Sequence, residues 1–319
     1  MKKYFTKEAF KNGFKLLTGA FNGFSDDKGL KLSASLAYYT VFSLAPLLLL
    51  IISLAGAFFG KDAINNKVFS EINGLVGNKA AVQVQDMIKS VSLSGKTTSA
   101  VVIGVITLLV GATSVFGEIQ DSINMIWKVK AKPKQGWVKL IKDRLLSSSL
   151  IVALGFLLIV SLVINGMVLA LSDILTRILP DITVVFVNII NLAISFIVIT
   201  LLFGVIFKVL PDVKISWKDV RSGALFTAVL FMIGRFLIGF YISTTGTGST
   251  YGAAGSLIVI LVWVYYTAAI LYFGAEFTQV YAEYAGVKIE PAEFAVHIEQ
   301  KEVEKDVDVL PPQNNIDKK

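Results

Sequence analysis

The fold class of this chain is decided by the stretch "TVVFVNIINLAISFIVITLLFGVIF", residues 183–207. The stretch carries no charged residue, and its apolar side chains surround the helix instead of forming one stripe, which is typical of a helix in lipid. At 1.5 Å per residue, about 20 apolar residues cross the roughly 30 Å hydrocarbon core of a bilayer. We therefore interpret this stretch as a transmembrane helix.

Five further long, predominantly apolar stretches occur in the 319 residues, of which 55% are hydrophobic and 17% charged. This composition excludes a water-soluble globular domain. The predicted spans run over about residues 32–59, 100–126, 145–171, 183–207, 220–241 and 252–281. We predict an all-α, polytopic membrane protein with a six-helix transmembrane domain over residues 32–282 and an outer loop over residues 60–99.

The two ends of the chain differ from the spans between them. Residues 1–31 include Phe14, Leu17 and Phe21 at helical spacing beside lysines, which predicts an amphipathic helix lying as an anchor in the cytoplasmic interface. From residue 283 to residue 319 the chain is acidic and contains Pro311 and Pro312, which predicts a disordered cytoplasmic tail. The first 30 residues lack a continuous apolar stretch, so we expect no signal peptide.

The distribution of basic residues predicts the orientation. Residues 127–144 carry seven basic residues against the single acidic Asp143, whereas residues 242–251 carry no charge. Lys and Arg accumulate in cytoplasmic loops of membrane proteins. The first loop is therefore expected in the cytoplasm, and with six spans both termini lie there too.

Four motifs in a fixed order resemble a known family. They are "LAYYTVFSLAPLLLL" (36–50), "FGEIQDSINMIW" (116–127), "VLPDVKISWKDVRSGALFTAVLF" (209–231) and "YGAAGSLIVILVWVYY" with "FGAEF" (251–266 and 273–277). Over about residues 30–285 the chain resembles the YihY/BrkB family of bacterial inner-membrane proteins. Members of that family have been labelled both virulence factor BrkB and ribonuclease BN. The resemblance implies a multi-pass protein of the bacterial inner membrane.

Four charged side chains lie well inside predicted spans, namely Glu118, Asp121, Arg235 and Glu276. A charge at mid-bilayer costs roughly 2.5–3.5 kcal/mol, so each should face the bundle interior or water. Glu118 and Asp121 share a helix face with Asn124 nearby, which fits either a proton or cation relay or the wet end of a helix. We expect Glu118, Arg235 and Glu276 to form one interior polar set, although a depth offset of roughly 10 Å separates Arg235 from the two carboxyl groups.

Two further places offer binding or transport candidates. Pro46 removes a backbone hydrogen bond in the first span, and Ser43 or Tyr39 can satisfy the freed carbonyl, giving a kink that fits either a substrate site or simple packing. In "TTGTGSTYGAAGS" (244–256), the hydroxyls of Thr247 and Ser249 are candidate ligands for an anion such as a phosphate headgroup. The glycines of that segment are expected to serve close helix packing.

The missing residue types exclude several functions. The chain has no Cys and one His, His297, so neither a cysteine nucleophile nor the His and carboxylate cluster of a metal-dependent ribonuclease is expected. We expect no cofactor, no enzymatic activity and no nucleic-acid partner. The favoured function is transport of a lipid-like or small amphiphilic substrate. The alternative is a non-transporting organiser or regulator that binds anionic membrane lipids or a partner protein, and a homo-oligomer stays open.

Overall fold

The computed structural model describes residues 7–43, 114–132, 180–245 and 255–299. These residues are mostly helical, with four short strands. The helices are α1 (Lys7–Asp26), α2 (29–43), α3 (114–126), α4 (Pro180–Val209), α5 (Trp217–Thr245) and α6 (Gly255–Tyr284). The strands are β1 (Val129–Ala131), β2 (Val213–Lys214), β3 (Glu290–Pro291) and β4 (Ala295–His297).

Three of the described helices are long and apolar enough to cross a membrane. The spans are Val185–Val209, Trp217–Tyr241 and Leu257–Tyr284. They coincide with the last three predicted spans, which are thereby confirmed as long apolar helices. Of the other predictions, the spans 32–59 and 100–126 lie only partly within the described residues, and the span 145–171 and the loop 60–99 lie outside them. The count of six spans and the cytoplasmic termini stay predictions.

Helices α5 and α6 pack antiparallel through a reciprocal pair of glycines and threonines. Gly223 of α5 faces the Thr278 side chain of α6, and Gly274 of α6 faces the Thr227 side chain of α5. Because a glycine has no Cβ, the two backbones approach closely at both points. Each threonine hydroxyl donates to the carbonyl four residues earlier in its own helix, Thr227 to Gly223 at 2.7 Å and Thr278 to Gly274 at 2.6 Å. The contact therefore buries no unpaired hydroxyl.

Local sequence signals set the ends of these helices. Ser216 precedes α5, and both its backbone N–H (3.2 Å) and its hydroxyl (2.5 Å) donate to the Asp219 carboxylate, as in a capping box. After α6, Gly286 has φ 73°, and Val287 N–H donates to Ala282 C=O at 2.9 Å, as in a Schellman motif. This left-handed residue turns the chain back toward the other helices.

Beyond Gly286 the chain forms two small antiparallel sheets. Strand β4 pairs with β1, with Lys130 opposite Val296, and β3 pairs with β2, with Lys214 opposite Glu290. The predictions of an all-α fold and of disorder from residue 283 are therefore wrong for residues 290–297. Strands of two or three residues are too short to show an alternating pattern, and their partners lie far away in sequence. We call the end of the bundle that carries these strands the sheet end; residues 300–319 lie outside the described part.

The hydrophobic core of the described residues is centred on α3 near the sheet end. Ile123, Ile126, Phe207 and Tyr272 are fully buried there. Trp127 is also buried, and its indole Nε1 donates to the Ala275 carbonyl of α6 at 3.1 Å. A buried indole keeps its hydrogen bond in this way while filling a large volume. Helix α3 is thus anchored between α4 and α6.

Helix α1 lies in the segment predicted as an N-terminal amphipathic helix. One face packs along α6, where Gly19 contacts Val280 and Gly23 contacts Glu276. The opposite face leaves the side chains of Phe14 and Phe21 largely exposed, as expected for a helix that meets lipid. Its position at the membrane interface stays a prediction.

Candidate functional site

A buried carboxylate, Asp212, ties α3 to the turn after α4. Gln120 Nε2 donates to Asp212 Oδ1 at 3.0 Å, and Asn124 Nδ2 donates to Asp212 Oδ2 at 3.0 Å. The backbone N–H of Asp212 donates in turn to Asn124 Oδ1 at 2.8 Å, and its C=O accepts from Ala292 N–H at 2.9 Å. All three side chains are buried. Such a satisfied network fixes three segments of the sheet end in one arrangement: α3, the turn after α4 and the segment at Ala292.

A second buried carboxyl group, Glu276, lies where α1, α3 and α6 meet. It is 2% exposed, and its carboxyl faces Asp27 at the end of α1. Asp27 forms an ion pair with Lys128 Nζ, and Lys128 also acts electrostatically on Glu276. Glu276 Oε1 has no hydrogen-bond partner among the described residues. The group therefore contains two facing carboxyls, one ammonium and one unsatisfied oxygen.

The two corners that carry this group have left-handed backbones. Lys28 and Lys128 both have φ 55°, the only non-glycine residues with positive φ in the described part. The left-handed conformation costs a non-glycine residue roughly 1–2 kcal/mol. Lys128 is thereby turned so that its ammonium reaches Asp27. Strained backbone of this kind marks a place that the surrounding packing holds firmly.

A further polar group inside the bundle consists of Tyr272, Ser122 and Glu118. The Tyr272 hydroxyl is fully buried, lies beside the Ser122 side chain and feels the charge of Glu118. It has no hydrogen bond of good geometry among the described residues. Glu118 itself is half-buried. Of the predicted polar stripe of α3, Glu118 therefore lies toward α6, whereas Asn124 lies toward Asp212 and Asp121 is exposed.

Arg235 lies in a different region, an open groove between α4 and α5. The groove has a volume of about 610 Å³. Arg235 lies about 27 Å along α5 from Trp217, in the half of the helix that is away from the sheet end. Arg235 has no ion pair within the described residues, and its side chain is exposed. The residues that line the groove are the polar Asn191, Ser195 and Arg235 and the apolar or small Leu192, Met232, Phe236, Gly239 and Phe240.

The structure does not bring Arg235 together with Glu118 and Glu276. Gly234 packs against Tyr266 and Ile270, so Arg235 is level with that part of α6. Glu276 lies six to ten residues further along α6, an axial separation of roughly 10–15 Å. The acidic residues instead interact with α1 and α3. The predicted single polar set is replaced by two separate regions.

The remaining predicted site residues fall into three groups. Asn124 is buried in the Asp212 network, whereas Asp121 is exposed on α3. Ser43 is buried and donates to the Tyr39 carbonyl at 2.8 Å, one turn earlier in α2, and the Tyr39 side chain is largely exposed. Pro46, Thr247 and Ser249 lie outside the described residues.

Sequence reasoning missed Asp27, Lys128 and Asp212. All three lie just beyond a predicted span. A charged residue there costs no membrane free energy, so its charge alone does not mark it as a candidate site. The available signals were the "VLPD" motif at 209–212 and the amides at 120 and 124, since buried amides need buried partners. Nothing local pairs residue 27 with residue 276. That juxtaposition arises only when α1 packs on α6.

Comparison with known proteins gives one family and many relatives. The sequence profile described as "Virulence factor BrkB" matches residues 20–297. Proteins named "UPF0761 membrane protein" are similar: one from Alkalilimnicola ehrlichii is 26% identical over 82% of this chain and 57% of its own length. Another, from Stenotrophomonas maltophilia, is 28% identical over 85% of this chain and 61% of its own length.

This chain therefore spans about three fifths of the length of these curated relatives. The matched region reaches residue 297 and includes β3 and β4, which the resemblance over residues 30–285 left out. No solved structure matches the chain significantly.

Proposed function

The chain belongs to the virulence factor BrkB family of membrane proteins, and from that premise we propose that it transports an anionic, lipid-like amphiphile across the bacterial inner membrane. The proposal includes no enzymatic step and no nucleic-acid partner. One observation carries it: in the groove between α4 and α5, Arg235 lies beside apolar side chains on a helix that is long and apolar enough to cross a membrane.

The lining of the groove matches an amphiphile in two respects. Arg235, Asn191 and Ser195 offer a charge and hydrogen-bonding groups to a headgroup, while Leu192 and Phe236 offer apolar contact to a chain. An arginine guanidinium binds phosphate or carboxylate oxygens through two parallel hydrogen bonds. An unpaired charge inside a membrane segment is costly, which favours a bound anion as its partner.

The test uses the full-length protein in liposomes with fluorescent phosphatidylglycerol, which is anionic. Fluorescent phosphatidylcholine, which has no net charge, is the control lipid. We expect wild-type protein to move the anionic lipid faster between leaflets. Arg235→Gln should reduce that movement about tenfold or more, because a charge-assisted hydrogen bond contributes roughly 1.5–3 kcal/mol. Arg235→Lys should keep part of it, since the charge remains but the paired geometry is lost.

A matched control lies on the same helix. Arg221 of α5 is also exposed but lies at the sheet end, so Arg221→Gln should leave lipid movement unchanged. Movement of neither lipid by folded wild-type protein would refute transport. Equal loss in Arg221→Gln and Arg235→Gln would refute the assignment of the groove.

The alternative function, a membrane organiser that binds anionic lipid without moving it, has support of its own from α1. Phe14, Leu17 and Phe21 are exposed on this helix, and Lys11 and Lys15 are exposed near them. Exposed aromatic and basic side chains on one helix favour contact with an anionic lipid surface. Binding of anionic vesicles with no lipid movement would favour this function over transport.

A further inference from the structure

A carboxyl pair at the sheet end is separate from the groove. Glu276 of α6 is 2% exposed and faces Asp27, whose side chain is 12% exposed. Gly23 of α1 lies directly against the Glu276 carboxyl, where a Cβ would collide with it. The absence of a side chain at residue 23 thus leaves the space that the carboxyl occupies.

The charges around this pair do not balance without a proton. The groups that act on Glu276 are Asp27 and Asp26 at the end of α1 and Lys128 after α3. Asp26 is exposed and therefore solvated. Among the buried or half-buried groups, two carboxylates and one ammonium sum to −1, whereas one added proton brings the sum to zero. A buried group with a net charge is far more costly than a neutral one.

The hydrogen-bonding geometry points to the same conclusion. Asp27 already accepts from Lys128, and Glu276 Oε1 has no donor among the described residues. Two ionised carboxylates that face each other repel, because neither can donate. A proton placed between them turns that repulsion into an O–H···O⁻ hydrogen bond. Lys128 already supplies a cation at Asp27, which leaves little reason for a metal ion at the pair.

We infer that Glu276 and Asp27 together bind one proton, and that this proton holds α1 against α6. One carboxyl group carries the proton and donates it in a hydrogen bond to the other, which is a carboxylate. Water takes up the proton when the pair ionises. Loss of the proton leaves a net negative charge at the contact where Gly23 and Gly19 meet α6, so α1 separates from α6 there. This site does not depend on the proposed transport, and its test involves no lipid movement.

The direct test is infrared difference spectroscopy of the full-length protein in detergent. We expect a carboxylic-acid C=O band at neutral pH that disappears as the pH is raised. Glu276→Gln should remove this band. Asp27→Asn should remove it as well, because Glu276 then pairs with Lys128 as a lone carboxylate. A band that persists unchanged in both folded variants would overturn the inference, as would its absence from wild-type protein at every pH.

The coupling to α1 has its own readout. The chain has no Cys, so Val280→Cys introduces a single thiol under α1, beside Gly19. Glu283→Cys, exposed on the same helix, corrects for the pH dependence of the maleimide reaction itself. The ratio of maleimide labelling at Val280→Cys to labelling at Glu283→Cys should rise several-fold as the pH rises. In proteins that also carry Glu276→Gln, this ratio should stay low at every pH. A rise that is identical with and without Glu276→Gln would show that the proton does not control this contact.

If Glu276→Gln fails to fold, Asp27→Asn supplies the neutral comparison in both measurements. In this variant one carboxylate, Glu276, and one ammonium, Lys128, remain. Their charges cancel at every pH above the acid range, so the labelling ratio should not change with pH. A pH-dependent ratio in folded Asp27→Asn equal to that of wild-type protein would overturn the inference.

Discussion

The Asp212 network at the sheet end and the groove around Arg235 hold polar side chains in opposite ways. At the sheet end, Gln120, Asn124 and Asp212 are buried and satisfy one another, and Trp127 donates to a backbone carbonyl. In the groove, Arg235 is exposed and has no ion pair within the described residues. Buried polar groups that hydrogen-bond to one another stabilise one arrangement of the helices. An exposed cation among apolar side chains can instead bind an anionic ligand. Burial and pairing, more than charge alone, therefore separate structural from ligand-binding candidates in this protein.

The largest expected effect is at Asp212. Asp212→Ala leaves the amides of Gln120 and Asn124 buried without their acceptor, at about 1–3 kcal/mol for each group. We expect a loss of about 2–6 kcal/mol in the free energy of unfolding, or no folded protein at all. Thermal unfolding and size-exclusion chromatography in detergent measure this. The matched control is Asp121→Ala on the exposed face of α3, and equal loss in both variants would contradict the special role of the network.

A smaller effect is expected where α5 crosses α6. Gly223→Ala places a Cβ against the Thr278 side chain, and overpacking of this kind costs about 1–3 kcal/mol. Thr278→Ala, added to Gly223→Ala, removes the opposing Oγ1 and Cγ2 atoms but keeps Cβ, and should restore part of the stability. The control is Gly13→Ala on α1, where a Cβ meets no atom within 4 Å and helix propensity improves by up to about 1 kcal/mol. A thermal unfolding temperature for Gly223→Ala equal to that of wild-type protein would argue against a close crossing.

The smallest expected effect comes from one matched substitution in the two regions. Ile206 of α4 is 6% exposed in the core near the sheet end, and Ile233 of α5 is 54% exposed near Arg235. Ile206→Val should lower the free energy of unfolding by about 0.5–1.5 kcal/mol. Ile233→Val should change it by less than about 0.5 kcal/mol. Similar losses at both positions would mean that the two regions do not differ in packing.

Sequence alone located the strongest features of the fold. Long, predominantly apolar stretches identified the helices now seen as Val185–Val209, Trp217–Tyr241 and Leu257–Tyr284, because crossing a bilayer requires about 20 predominantly apolar residues. The penalty for charge in lipid singled out Glu118, Arg235 and Glu276 as unusual. Motif order identified the family. Each of these inferences depends on local composition or on the order of motifs, which a single chain displays directly.

The tertiary structure decided which residues meet. Asp27 with Glu276, Asp212 with Gln120 and Asn124, and β1 with β4 are pairs separated by long stretches of chain. Strands of two or three residues carry no period, and an acidic residue outside a span has no membrane cost to mark it. Only the packing of α1 on α6, and of α5 on both α4 and α6, gives such residues partners, because a buried polar group finds its partner only after the helices have come together.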